Sequence, residues 1–197
     1  MTYDFNEAKE HLVNSYGRLD PVIVKGHGVY LYDQDNNKYL DFTSGIGVSS
    51  LGYGHKKWVE ATSSQLGTLV HASNIFLTEP SVKLAKELTE KSKMKKIFFG
   101  NSGAEANEGA IKIARKYSFD KYGQGRNTIL TLTQSFHGRT ITTLKATGQE
   151  KFHQYFYPFT EGFNYVKAND LNDFKEKLTP DVCSIMLERS EERRVGK

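Results

Sequence analysis

Residues 100–104 form the first of three segments whose residue types could do chemistry. The apolar run at residues 97–99 predicts a buried strand, and the apolar spacing of residues 104–117 predicts a helix. The turn between them, with Ser102 as helix N-cap, would present unpaired backbone N–H groups to an anion such as a phosphate. Gly103 and Ala104 would let that anion approach the main chain closely. An ordinary strand-to-helix turn remains the alternative, because the segment matches neither the dinucleotide-binding glycine pattern nor the P-loop.

The second and third segments follow two further predicted strands. The loop at residues 134–140, with Phe136, His137 and Arg139, comes after a strand predicted at residues 127–133. Glu188 comes directly after a buried strand predicted at residues 184–187. Because ligands collect at the carboxyl ends of parallel strands, we expect all three segments at one edge of the sheet. Together they would hold a phosphate, a flat ring and a carboxylate, as a small charged substrate on an aromatic phosphate cofactor requires.

Each of these side chains also has a structural interpretation. Phe136 could belong to the core, and His137 could be a solvated loop residue or a structural hydrogen-bond partner. Arg139 could pair with a surface carboxylate, and Glu188 could be a solvated strand-end residue. The six histidines lack metal-ligand spacing and no nucleophile motif such as G-x-S-x-G is present, so metal catalysis and a serine nucleophile are unsupported.

The elements that must position these segments alternate between strands and helices. This alternation predicts an α/β fold with a parallel sheet and crossover helices. An Asp/Asn-rich turn at residues 34–37 predicts a β-hairpin over residues 28–42, and a glycine-rich loop follows it. The remaining predicted elements are helices at residues 4–16, 55–70 and 171–178, a helix opening at Thr78, and a strand at residues 163–166.

Composition narrows the class of protein. With 197 residues the chain suits one domain or one and a half, and its net charge of +4 is dispersed, which does not favour nucleic-acid binding. The one cysteine, Cys183, excludes an internal disulfide framework and fits a reducing compartment. No apolar run reaches membrane-spanning length, and the N-terminus has neither the basic start nor the apolar core of a signal peptide. We therefore expect a soluble cytoplasmic protein with no membrane partner.

Two motifs in this order resemble the class III pyridoxal-phosphate aminotransferases. They are FGNSGAEANE at residues 99–108 and SFHGRT at residues 135–140, and the resemblance covers about residues 10 to 188. It implies a fold type I transferase of which this chain would be an N-terminal fragment. Residues 1–50 would belong to the small domain and residues 51–188 to the first part of the large, mostly parallel, cofactor-binding domain. Residues 189–197 would be a charged tail that departs from the family's Pro-Ile-Gln-Gly-Glu type of continuation.

The resemblance also implies the role of each candidate residue toward pyridoxal 5'-phosphate. Ser102, Gly103 and Ala104 match the turn whose main chain holds the cofactor phosphate, and Phe136 matches the aromatic residue that stacks on the pyridine ring. The Schiff-base lysine of the family would lie in the missing half. No catalytic residue is therefore predicted in this chain, and the fragment alone is expected to be inactive.

For the substrate, the resemblance is to members that act on N-acetylornithine. Arg139 matches the arginine that binds the substrate α-carboxylate, and Glu188 matches a strand-end glutamate beside the cofactor. The implied enzyme is a homodimer of arginine biosynthesis that moves the δ-amino group to 2-oxoglutarate. Residues 44–48 are glycine-rich where ornithine aminotransferases carry a tyrosine, which leaves room for an acetyl group. The alternatives are an aminotransferase for ornithine or another ω-amino acid, and a non-catalytic module that binds a phosphorylated ligand or a partner chain.

Overall fold

The computed structural model describes residues 10–188, which divide into two compact units between Glu79 and Pro80. The first unit contains a three-stranded antiparallel sheet with strand order β1-β2-β3. Its strands are β1 (Ile23–His27), β2 (Tyr30–Asp33) and β3 (Lys38–Leu40). The β-hairpin prediction is thereby confirmed, and β1 is an additional strand that the sequence did not predict. The predicted domain boundary near residue 50 stays a prediction.

Asp33 organises the turn of this hairpin. Its carboxylate accepts hydrogen bonds from the backbone N–H groups of Asp35 (3.0 Å) and Asn37 (2.8 Å) and from the Tyr39 hydroxyl (2.7 Å). The side chain of Asn37 donates a further bond at 3.0 Å and, with the other donors, holds the pKa of Asp33 below its usual value. Asn36 takes a positive φ of 63°, as the Asp/Asn-rich turn predicts.

The glycine-rich loop begins with a single left-handed turn. The short helical segment Ser44–Gly47 has positive φ throughout, from 47° at Ser44 to 85° at Gly47. The carboxylate of Asp41 holds the start of this segment through the backbone N–H and hydroxyl of Thr43. Those bonds, together with one from the Tyr53 hydroxyl, lower the pKa of Asp41 to about 2.

Helices follow as predicted at residues 55–70 and from Thr78. Helix α1 (Lys56–Thr68) begins after His55, whose ring accepts a hydrogen bond from the backbone of Trp58 at 3.4 Å. Helix α2 (Glu79–Ser92) has Pro80 in its first turn, where the missing N–H costs nothing. Within residues 10–188 no helix is both long and apolar enough to span a membrane.

The second unit contains the parallel sheet. Strand β4 (Thr128–Leu132) lies in the centre and pairs in parallel with both β5 (Phe163–Val166) and β6 (Val182–Met186). The helices of this unit are α3 (Gly103–Tyr122), α4 (Ile141–Ala146), a 3-10 turn (Glu150–Phe152) and α5 (Leu171–Lys177). The predicted α/β fold with a parallel sheet is therefore confirmed, and α4 and the 3-10 turn are elements that the sequence did not predict.

Both faces of β4 are buried, as expected for the central strand of a parallel sheet. On one face Ile129 packs with Ile111 of α3 and Ala146 of α4. On the other face Leu130 packs with Val182 and with Phe174 of α5. The carboxyl end of β4 is thus held from two sides, and the loop that follows it starts from a fixed position.

The prediction of a buried strand at residues 97–99 is wrong. Phe98 and Phe99 are 60% and 46% exposed, and within the described part of the chain no strand pairs with them. An apolar run needs a neighbouring strand to become part of a sheet, and here the Phe98 ring lies instead against Gly109 of α3, where an added Cβ would meet it at 2.7 Å.

The predicted helix at residues 4–16 is only partly described. Residues 1–9 lie outside the described part, Glu10 and His11 are helical, and residues 12–16 are not. The predicted charged tail at residues 189–197 also lies outside the described residues.

Because β4 is the central strand, substitution of its apolar side chains tests the assignment of the core. Replacing Ile129, which is 1% exposed, by Ala should lower the free energy of unfolding by about 2–5 kcal/mol, because the removed atoms leave a cavity in the packed core. Ile113→Ala removes the same atoms from a side chain that is 59% exposed, and should cost about 1 kcal/mol or less. Urea denaturation measures both values, and equal losses would contradict the assignment of the core.

Candidate cofactor site

The first part of the site is the N-terminus of α3. Ser102 is the N-cap in extended conformation, and its hydroxyl accepts a hydrogen bond from the backbone N–H of Glu105 at 3.2 Å. The Glu105 carboxylate reaches back to the backbone N–H of Asn101 at 2.6 Å. These two bonds are a variant of the capping box and hold the turn in place.

The backbone N–H groups of Gly103 and Ala104 belong to the first two helical residues. A helix cannot satisfy these donors internally, and the aligned peptide dipoles of the 20-residue α3 give its first turn a partial positive charge. A Cβ added at Gly103 would meet nothing within 4 Å, so the space beside this backbone is open. The turn can therefore accept an anion such as a phosphate at close range.

The loop at residues 134–140 packs directly on this turn. Gly138 has φ of 140°, and a Cβ there would lie 2.9 Å from the Cβ of Ala104 and 2.5 Å from the hydroxyl oxygen of Thr143. The side-chain amide of Asn107 donates to the carbonyl of His137 at 2.7 Å. A second hydrogen bond links the loop to α3, because the Thr140 hydroxyl donates to the Glu108 carboxylate. The two segments thus form one rigid edge, and only a glycine fits at their closest approach.

Glu188 joins the third segment to the same loop. Its carboxylate accepts a hydrogen bond from the backbone N–H of Phe136 at 2.8 Å. The structure therefore brings the turn, the loop and Glu188 together at the carboxyl ends of β4 and β6, as the sequence predicts. Glu188 is therefore more than a solvated residue at the end of a strand, since its carboxylate bonds the loop.

Phe136 and Arg139 form an aromatic and cationic cluster with Phe152. Phe136 is 40% exposed, and its ring meets that of Phe152 edge-to-face at a centroid distance of 6.3 Å. The Arg139 guanidinium carbon lies 5.7 Å from the Phe136 ring centroid and 5.1 Å from that of Phe152. Among residues 10–188 no carboxylate lies within ion-pair distance of Arg139. The alternative that Arg139 pairs with a surface carboxylate is therefore not supported within these residues. The ring and the guanidinium are both accessible to a ligand.

His137 is buried beneath this loop. It is 4% exposed, and its backbone N–H donates to the Thr147 hydroxyl at 2.9 Å. Burial lowers the pKa of His137, with the Glu188 charge opposing that shift, so the imidazole is neutral near pH 7. Its Nε2 atom has no hydrogen-bond partner among the described residues. The solvated interpretation of His137 is therefore wrong.

Three contact residues escaped the sequence reasoning. All three hold the loop. Asn107 lies in the motif at residues 99–108 but was given no role there, and Thr147 and Phe152 belong to no pattern that marks a site. The signal for Asn107 was available in principle, because it lies one turn after Gly103 on α3 and faces the same edge. Nothing in the local sequence places Thr147 or Phe152, whose contacts depend on how residues 147–153 return to the sheet.

The family model for class-III aminotransferases matches residues 13–194, and the chain belongs to this family. The same family was inferred from the two motifs, and its cofactor is pyridoxal phosphate, so the predictions of the family and of the cofactor are confirmed. The site fits that cofactor in two respects, an anion-accepting turn with open space beside it and an accessible aromatic ring at the same edge.

Individual relatives give the same result. The chain is 57% identical over 179 residues to the acetylornithine aminotransferase of Haemophilus ducreyi, covering 90% of this chain and 46% of the relative. It is 50% identical over 182 residues to the acetylornithine aminotransferase of Methanocaldococcus jannaschii, covering 92% and 46%. The chain therefore spans about half the length of the curated relatives it matches.

Solved structures confirm the fold class. An ornithine aminotransferase from Toxoplasma gondii with partial occupancy of pyridoxal phosphate matches with a TM-score of 0.86 at 27% identity, over 92% of this chain and 43% of that chain. An omega transaminase from Pseudomonas jessenii in complex with the pyridoxamine form (PMP) matches with a TM-score of 0.76 at 24% identity, over 84% and 39%. The fold is that of fold type I pyridoxal-phosphate transferases.

The contact between Gly138 and Ala104 yields a direct prediction. Gly138→Ala should destabilise the protein by about 1–3 kcal/mol more than Gly125→Ala, because the new methyl group must displace Ala104 and Thr143. Gly125 is the matched control, since its φ of 94° is also positive but an added Cβ would meet nothing within 4 Å. Chemical denaturation of the two variants gives the comparison. Equal destabilisation would mean that backbone strain alone, and not the contact, explains the glycine.

Proposed function

We propose that this chain supplies one half of a pyridoxal-phosphate aminotransferase that moves the δ-amino group of N-acetylornithine to 2-oxoglutarate. One observation carries the proposal. An anion-accepting helix N-terminus, an accessible aromatic ring and an arginine without a carboxylate partner in residues 10–188 meet at one edge of the sheet. Few ligands other than a flat phosphorylated cofactor with a carboxylate substrate use all three groups together.

The backbone of Gly103 and Ala104, with the capping Ser102, would hold the cofactor phosphate. The donors are fixed before any ligand arrives, because the bond from Glu105 to Ser102 and the packing against Gly138 hold the turn in place. A preformed donor set costs little reorganisation on binding, which favours tight retention of a phosphate.

Phe136 would stack on the pyridine ring, and Glu188 would hold Phe136 in place. The bond from the Phe136 N–H to the Glu188 carboxylate fixes the backbone of the stacking residue, and places a negative charge beside the ring site. Pyridoxal phosphate would supply the electron-accepting ring system on which transamination depends. The protein's task at this edge is to hold the ring flat and to orient the substrate against it.

Arg139 would bind the α-carboxylate of the amino and 2-oxo substrates. Its planar guanidinium offers two parallel donors to a carboxylate, a geometry that lysine cannot reproduce. The two neighbouring rings restrict the side chain without satisfying its N–H donors, because cation–π contacts use the face of the guanidinium or its charge. The donors thus remain available to a substrate.

The choice of N-acetylornithine rests on two supports. The relatives from Haemophilus ducreyi and Methanocaldococcus jannaschii are acetylornithine aminotransferases. The segment Ser44–Gly47 is a tight left-handed turn with two glycines, where a bulky tyrosine that binds a free α-amino group is absent. From the family resemblance and the single cysteine, we further propose a cytoplasmic homodimer that works in arginine biosynthesis.

Substrate preference of the full-length protein tests this function. With pyridoxal phosphate and 2-oxoglutarate present, kcat/KM for N-acetylornithine should exceed that for ornithine by about tenfold or more, since an unpaired charged α-amino group is costly in a site shaped for an amide. Glutamate formation measures both rates. Equal or better use of ornithine would identify an ornithine aminotransferase instead, and no transamination of either substrate would favour the non-catalytic alternative.

A further inference from the structure

We propose that Phe152 is a positioning residue that sets the direction of the Arg139 guanidinium and the tilt of the Phe136 ring. The inference deepens the proposed function and rests on it, because the two positioned residues are those expected to meet substrate and cofactor. Phe152 contacts both of them, with its ring 6.3 Å from that of Phe136 and 5.1 Å from the guanidinium carbon of Arg139.

The geometry of the three side chains is that of a clamp. The Phe136 and Phe152 rings meet at an interplanar angle of 75°, the edge-to-face arrangement that aromatic pairs prefer. Arg139 lies within 6 Å of both ring centroids, so each ring attracts the cation. An exposed arginine would otherwise sample many rotamers, and the two rings restrict that sampling before substrate binds.

Phe152 itself is held by the segment that carries it. The backbone of Gln134 donates to the carbonyl of Gly148 at 2.7 Å, and the side chain of Gln149 donates to the carbonyl of Ser135 at 3.1 Å. A Cβ at Gly148 would lie 2.1 Å from the carbonyl oxygen of Leu132, so this segment lies directly against the end of β4.

The residue after Phe152 fixes the other end of the segment. His153 is buried, and its Nε2 lies 2.8 Å and 2.9 Å from the carbonyl oxygens of Leu144 and Thr147. Phe152 is thus anchored on both sides, and the ammonium of the exposed Lys151 lies 4.9 Å from the centroid of its ring. The rigid partner in the clamp is therefore Phe152, and Arg139 is the side chain that it orients.

Equilibrium binding of glutarate, a dicarboxylate without a reactive group, tests the inference on the full-length protein loaded with pyridoxal phosphate. Phe152→Leu keeps an apolar side chain but removes the ring, and should raise the Kd for glutarate about three- to fivefold, the range of a partly exposed cation–π contact. Phe152→Tyr keeps the ring and should restore the wild-type Kd. Phe156→Leu is the matched control, because Phe156 pairs with Tyr155, and should leave the Kd unchanged.

A double-mutant cycle separates positioning from a general loss of structure. In the Arg139→Gln background, Phe152→Leu should change the Kd less than twofold, because the cation that the ring attracts has gone. The thermal midpoints of Phe152→Leu and Phe156→Leu should agree within about 1 °C, a difference of less than about 1 kcal/mol. A full effect of Phe152→Leu without the arginine, or no effect with it, would overturn the inference.

Failure of the proposed function gives a different result. In that case the wild-type protein would bind no glutarate and transaminate no amino donor, and both the proposed function and the positioning role of Phe152 would be wrong. If wild-type protein binds glutarate and Arg139→Gln weakens it while Phe152→Leu does not, only the positioning role is wrong.

Discussion

The candidate site depends on the contact between Gly138 and Ala104. At this point the loop after β4 touches the first turn of α3 so closely that a methyl group on Gly138 would meet Ala104 at 2.9 Å. The contact joins an anion-accepting backbone to the loop that carries Phe136 and Arg139. The distance between a phosphate on the turn and a ring on Phe136 would therefore be set by main-chain packing rather than by mobile side chains.

Electrostatics at this edge follows from the same packing. The start of α3 carries the partial positive charge of a long helix, and the two glutamates in its first turns are already engaged. Glu105 bonds the backbone of Asn101, and Glu108 accepts from Thr140. Both carboxylates thus bond other donors, and no described residue accepts from the backbone N–H groups of Gly103 and Ala104, which stay available to a ligand. His137 stays neutral through burial, so it adds no charge that would disturb this balance.

Much of this arrangement could be predicted because it depends on local chemistry. Ser102 caps α3 as its residue type and position require, and β4 and β5 follow from runs of β-branched and aromatic residues. The meeting of the second and third segments at one edge follows from the parallel direction of β4 and β6. The first segment follows no strand, and it reaches this edge through the contact of Ala104 with Gly138. The roles proposed for these residues come from the family's motifs, because spacing rules alone do not imply them.

The rest depended on contacts between residues far apart in sequence. The run at residues 97–99 has the composition of a strand, but strand formation needs a partner, which residues 10–188 do not provide. His137 occurs in a polar loop, yet it is buried because Thr147 and Asn107 hold its backbone. Phe152 reaches Arg139 only because Gly148 lets its segment lie against the end of β4. No local pattern encodes these approaches.

The most direct test is a crystal structure of the full-length protein with pyridoxal phosphate. The cofactor phosphate should lie within about 3 Å of the backbone nitrogens of Gly103 and Ala104, with the pyridine ring stacked on Phe136. A phosphate bound elsewhere, or a ring that does not touch Phe136, would contradict the account. In that case the packing of Gly138 on Ala104 would serve only the stability of the fold.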